Sequence, residues 1–313
     1  MKAPFFIENI SEINPKTRYW FVRTEGGGLY DIYKDDNFIA IGWNQISINM
    51  LETLSFNNIA DIYAKTLQET RSKKDISTTV NQLFRFYNIE KNDIVIIPSK
   101  NSTNYTFGIV QDERPYESYE NDMCEYNKRR KVKWVKTVYV GNIDPHFYKI
   151  RNRHTITNVD YLSIYIDKVV EKLYRKGENI HLVFDIETKE AINVKILAEL
   201  LTDIQSLVED ANAFYSFEED VQSTSVRLNL QSPGQIECIT KIGKSLAVVA
   251  GALAFASCGG INNNKSSSTI EDDTKKLSNF VRENEAKIRR IEENQKILNS
   301  NNNSDYQDVL FGK

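Results

Sequence analysis

Arg18-Tyr-Trp-Phe-Val-Arg23, Gly26-Gly-Gly28 and Asn37-Phe-Ile-Ala-Ile-Gly-Trp43 form the stretch on which the fold turns. Its two ends are short apolar and aromatic runs of the kind that make strands, and the glycines between them break the chain. Downstream, residues 59–67 and 78–87 carry apolar side chains at helical spacing (Ile59, Ile62, Tyr63 and Leu67, then Val80, Leu83, Phe84 and Tyr87). Residues 93–98 (DIVIIP), 105–110 (YTFGIV) and 132–140 then read as further strands. Several short strands with two inserted helices predict an α+β fold whose first domain, residues 17–158, is a small barrel.

The composition agrees with a folded chain. Of 313 residues, 41% are hydrophobic and 27% charged, with few glycines and prolines, which excludes a disordered tail, a collagen or a bundle of membrane spans. The net charge of −3 advertises no global attraction to nucleic acid, so any basic surface must be local. Three cysteines (Cys124, Cys238 and Cys258), far apart, support neither a disulfide framework nor a thiolate metal site and fit a reducing compartment. The N-terminal residues are interrupted by Glu8 too early for a secretory signal, so a cytoplasmic location is expected.

A second α+β domain is expected over residues 163–261. Residues 180–186 and 225–230 alternate as strands, and residues 194–215 align Ile196, Leu197, Leu200, Leu201, Ile204, Leu207, Val208, Ala211 and Phe214 on one helical face. Residues 245–261 are uncharged and rich in small side chains. As a helix this segment falls short of the roughly 30 Å hydrocarbon core. A buried helix is the first expectation there, and membrane association, at the inner membrane, the second. After a linker at 262–271, residues 272–299 form a charged helix in which Leu277, Val281, Asn284, Ile288, Ile291, Gln295 and Leu298 keep heptad spacing. Leu277, Val281, Ile288, Ile291 and Leu298 are therefore candidates for a homo-oligomer seam, two polar seam positions notwithstanding. Residues 300–313 are a polar tail.

Chemistry concentrates in the first domain. Nine cations lie between Lys128 and Arg153 against Asp144 alone, and a run of acids from Asp112 to Glu125 precedes them. These blocks can neutralise each other. Alternatively, Lys128, Arg129, Arg130 and Lys133 make a phosphate-contacting strip beside an aromatic pocket, the combination used to read an unstacked base.

Five pieces in order carry a resemblance: Tyr19-Trp-Phe-Val-Arg23-Thr-Glu25-Gly-Gly-Gly28, Ile39-Ala-Ile-Gly42-Trp43, Asn92-Asp-Ile-Val-Ile-Ile-Pro-Ser99-Lys100, Tyr105-Thr-Phe-Gly-Ile-Val110 and Arg129-Arg-Lys-Val-Lys-Trp134. Together they resemble a PUA-like, EVE-related domain of the type found at the N-termini of modification-dependent restriction enzymes and in prokaryotic antiviral proteins. That resemblance implies a twisted small barrel with a base-sized aromatic pocket, and a nucleic-acid or nucleotide ligand. Carried over by motif position, Arg23, Glu25, Trp43, Ser99 and Lys100 become the pocket. Trp43 would stack on a base, Ser99 would bond its edge, and Lys100 or Arg23 would hold a phosphate.

Enzymatic signatures are missing. Gly26-Gly-Gly28 lacks the Gly-Lys-Ser/Thr of a phosphate loop, Ser232-Pro-Gly234 is not a nucleophile elbow, and His146 and His154 lack zinc spacing. No catalytic residue, metal ligand or cofactor is expected. The leading expectation is a non-catalytic sensor of a modified or unpaired base in antiviral defence, with a C-terminal assembly or effector region. One alternative is a membrane-perturbing effector gated by a nucleotide. Another is a nuclease, for which Asp185-Ile-Glu187-Thr-Lys189 offers a passing similarity.

Overall fold

The computed structural model describes residues 4–67, 71–119, 123–150, 154–188, 191–229, 234–257 and 268–298. The chain is α+β and divides into two compact units, residues 16–170 and residues 1–15 with 171–313.

The N-terminal unit is built on a curled sheet in the strand order Phe38–Ile41, Lys128–Tyr139, Asn104–Val110, Ile94–Pro98, Tyr19–Val22, Ile156–Asn158, with the short Tyr116–Glu117 strand paired to Lys128–Tyr139. Strand alternation feeds both faces. Trp20 and Val22 enter a cluster with Val95, Ile97, Phe38 and Val110, whereas Tyr19 and Phe21 enter another with Ile94, Ile96, Tyr105 and Phe107. With both faces covered, the central strands read as continuous apolar runs. Helices Phe56–Thr66 and Lys73–Tyr87 cover the first face through Ile59, Tyr63, Val80 and Leu83. Ser55 and Ser72 cap them by accepting the N–H of Asn58 and Asp75, so each begins before the apolar periodicity does. Helix Ser163–Val170 covers the other face through Ile166 and belongs to this unit, which moves the expected boundary from 158 to 170. At Gly108 a Cβ would stand 2.4 Å from the Val132 side chain and 2.5 Å from the Trp134 ring. Glycine there lets the sheet curl at the register shift between Phe107 and Gly108.

The C-terminal unit has a five-stranded sheet in the order Ser11–Ile13, Leu173–Lys176, Asn179–Ile186, Gly234–Lys241, Ser225–Asn229. Its first strand comes from the N-terminus, ahead of the other unit in sequence. Helix Val194–Tyr215 forms as its periodicity predicts and buries Leu200, Ile204, Leu207, Val208 and Ala211. Ser225–Asn229, expected to be half-buried, is an edge strand with Val226 and Leu228 exposed.

Helix Lys244–Ser257 is buried at every position from Ser245 to Ala254. Its small residues allow close approach: Gly251 lies 3.6 Å from the Phe6 ring and 3.8 Å from Leu277, measured from where its Cβ would be. Residues 245–254 thus serve as the central helix of this unit, and residues 258–261 lie outside the described ones. Among the described residues no helix is long and apolar enough to cross a membrane.

The single helix expected over 272–299 is two, Ser268–Glu283 and Glu285–Ile297, broken at Asn284, whose side-chain amide donates to the Phe280 carbonyl at 3.1 Å. Leu277, Ile288, Ile291 and Leu298 are buried in the core of their own unit, with Val281 packed against it. The stripe expected to form an oligomer seam therefore has its apolar face covered within the chain. Arg290 clamps it with two bonds to Asp203, at 3.0 and 2.6 Å, and Lys287 pairs with Asp210.

Candidate ligand pocket

Strands Tyr19–Val22 and Ile94–Pro98 run parallel, with Tyr19 opposite Ile94 and Phe21 opposite Ile96. Parallel pairing delivers both C-terminal ends to one rim of the sheet, where each chain turns sharply. Glu25, Gly26 and Gly27 have φ of 51°, 68° and 102°, and Asn101 and Ser102 have φ of 57° and 54°. Such left-handed backbone is costly outside glycine, and five instances at one rim mark a constrained site.

Two contacts press the turns together. The Thr24 hydroxyl donates to the Pro98 carbonyl at 2.7 Å. A Cβ on Gly27 would stand 2.4 Å from the Cα of Lys100, so only glycine permits this approach.

Between the turns lies a cavity of about 280 Å³, near the lower end of the range of about 300–1,000 Å³ usual for small-molecule sites. Phe21, Tyr105, Pro98 and Ile150 supply its apolar side, and Arg23, Thr24, Gly26, Gly27, Ser99, Asn101 and Ser102 its polar side. The Phe21 and Tyr105 rings meet edge to face with centroids 5.9 Å apart. Burial raises the Tyr105 pKa above the usual phenol value, against a hydrogen bond from Ser102 that lowers it. Arg23, exposed, is the one charged residue on the lining among the described residues.

The pocket expected from sequence is thus partly assembled. Arg23 and Ser99 line the cavity; Glu25 and Lys100 belong to its two turns without lining it. The Ser99 hydroxyl is already engaged, accepting the Asn104 N–H at 2.8 Å and bonding Thr103 at 2.9 Å. Trp43 does not line the cavity. It sits half-buried at φ 57°, packed against the Trp20 cluster, with its carbonyl accepting the Lys128 amine at 3.0 Å.

The phosphate strip is corrected more sharply. Lys128, Arg129 and Arg130 are 1%, 4% and 0% exposed, and so cannot meet an external phosphate. Arg130 bonds the carboxylate and the carbonyl of Asp112 and the carbonyl of Ile89. Arg129 bonds the carbonyls of Tyr126 and Cys124 and lies 4.4 Å from the Phe38 ring centroid. Lys133 alone of the four is exposed.

Sequence reasoning missed Phe21, Tyr105, Asn101 and Ser102. The two aromatics stand in strands that the sequence marks, but nothing in it says which of Trp20, Phe21 or Trp43 faces a cavity.

The nuclease-like string is taken up by structure. Asp185 accepts from Lys172 at 2.6 Å and from Gln235 at 2.8 Å, Glu187 lies beyond the strand end, and Lys189 is outside the described residues. No cluster of His, Cys, Asp or Glu that could hold a metal occurs among the described residues.

No curated protein and no solved structure matches the chain. One family model, described as a domain of unknown function (DUF8426), matches residues 20–160, the span that holds both turns and the cavity.

Proposed function

We propose that the N-terminal unit is a non-catalytic reader that takes a planar group of a nucleotide or an unpaired, modified base into the cavity between the two turns. The observation that carries this reading is the cavity itself: an aromatic and apolar side formed by Phe21 and Tyr105 faces hydrogen-bonding backbone and, among the described residues, the Arg23 cation. That combination of a π-surface, fixed polar groups and a positive charge suits base recognition. The setting in prokaryotic antiviral defence rests on the resemblance of residues 17–158 to PUA-like, EVE-related domains. Assembly or an effector response falls to the C-terminal unit.

A binding screen over plain and modified nucleosides, mononucleotides and single strands tests the reading. Tyr105→Leu removes the ring, and loss of base stacking is worth about 1–3 kcal/mol. Trp43→Phe, outside the cavity, leaves affinity unchanged. Absence of binding to every member of the screen by the stable wild-type protein would sink the reading.

A further inference from the structure

Several carbonyls of the two turns are spent within the fold, while two of their N–H groups are not. The carbonyls of Thr24, Glu25, Pro98, Ser99 and Lys100 all accept hydrogen bonds within the fold. The N–H groups of Gly27, Gly28, Ser102 and Thr103 are likewise used, each closing its own turn. By contrast, the backbone N–H groups of Gly26 and Asn101 donate to no other described residue. Both residues line the cavity. Ser99, the polar side chain best placed to read a base edge, is tied to Asn104 and Thr103.

An oxyanion needs donors only, and backbone N–H groups in left-handed turns form concave anion-binding sites. Among the described residues the lining adds one guanidinium and no carboxylate, which tips the electrostatics the same way.

From this we infer that the ligand carries a phosphate-class oxyanion that lodges between the turns and receives the Gly26 and Asn101 N–H groups together with the Arg23 guanidinium. The inference deepens the reader function proposed above and rests on the same cavity. It assigns the polar side to the phosphate and leaves the Phe21–Tyr105 side for the attached planar group. Gly27 acts as the spacer that holds the turns close enough for one anion to reach both.

The experiment is an amide NMR titration of the full chain with inorganic phosphate, paired with affinity measurements. Saturable shifts at the Gly26 and Asn101 amides are expected. A 5′-mononucleotide should bind about tenfold or more tighter than its nucleoside, the equivalent of one charge-assisted hydrogen bond. Arg23→Gln should weaken phosphate binding by a similar factor. Gly27→Ala, which drives a methyl into the Lys100 backbone, should abolish it. Lys133→Gln, at an exposed cation that does not line the cavity, should retain binding, so a loss confined to Arg23→Gln carries the inference even if the Gly27 variant fails to fold.

Single strands with and without a 5′-phosphate separate the sources. Tighter binding of the phosphorylated strand supports a terminal phosphate, and equal binding that inorganic phosphate still displaces supports a backbone diester. Amides that stay still under phosphate, or a nucleoside that binds as tightly as its nucleotide, overturn the inference while leaving base reading intact. Phosphate shifts without binding of any nucleotide or strand uphold the oxyanion site and remove the reader function.

Discussion

Arg130 grips Asp112 twice, its Nε donating to the carboxylate and one terminal nitrogen donating to the backbone carbonyl, both at 2.8 Å. The arginine is fully buried and the aspartate nearly so, with side-chain exposures of 0% and 15%. The opposed acidic and basic blocks of the sequence therefore meet inside the fold at this point.

Removing the guanidinium leaves a carboxylate and two carbonyls in a poorly solvated place. Arg130→Ala should lower stability by about 3–5 kcal/mol, as for other broken buried ion pairs. Lys133→Ala, at an exposed position, should stay within about 0.5 kcal/mol of the wild type. Urea denaturation of both variants checks this, and an Arg130 variant as stable as the Lys133 variant would return Arg130 to the surface.

The pattern shows what the sequence can and cannot carry. Helix Val194–Tyr215 was legible because its apolar residues share one face over many turns. Lys128–Arg130 misled because a count of charges is silent about direction: their partners Asp112, Ile89 and Trp43 are brought near by the Phe38–Ile41 and Lys128–Tyr139 pairing and by loops. The heptad of the C-terminal helices is a statement about spacing, and an intramolecular core satisfies it as well as a second copy does. The cavity was half legible. Glycines at 26–28 announce a turn, but the parallel pairing that sets it against Lys100–Ser102 joins residues some seventy-five apart.

Lys128 makes stability depend on pH. Its amine is buried with the Trp43 carbonyl as a partner, and burial pulls its pKa down to about 8. An unfolded lysine titrates near 10.4, so between about pH 8 and 10 the unfolded chain holds the extra proton and stability rises with pH. Cys238, pushed up to about 12 by burial, works in the opposite direction above the usual thiol range, as do Tyr19, Tyr33 and Tyr215 at higher pH, each raised chiefly by burial. Subtracting the curve of Lys128→Met cancels those groups. The difference, wild type minus variant, should rise by up to about 2 kcal/mol from pH 8 to 10. A flat difference would show that the Lys128 amine is not desolvated.

Ile291 separates an internal stripe from an intermolecular seam. It is fully buried in the core of the C-terminal unit, and Ile291→Ala should cost about 2–5 kcal/mol. Because the partners belong to the same chain, the melting temperatures of wild type and variant should be independent of protein concentration. A midpoint that climbs with concentration, and a variant penalty that climbs with it, would place the stripe between two copies.

Glu219 holds the start of the central apolar helix from outside it. Its carboxylate accepts the Lys244 N–H at 2.7 Å, the Ser245 N–H at 2.9 Å and the Ser245 hydroxyl at 2.6 Å. Asn212 fixes the Glu219 backbone at both ends, accepting its N–H at 3.0 Å and donating to its carbonyl at 3.2 Å. Helix Lys244–Ser257 has an almost featureless apolar surface, so packing alone defines its axial position poorly, and this carboxylate supplies the missing register. Glu219→Ala should cost about 1–3 kcal/mol for the buried donors it strands, with the loss concentrated in faster hydrogen exchange of the first helical turn. Glu219→Gln presents one acceptor oxygen and a competing donor, and should recover only part of the loss. Ser245→Ala removes a single donor with its acceptor still satisfied by two N–H groups, and should be the mildest of the three. If all three variants exchange and melt like the wild type, the helix is held by its apolar contacts alone.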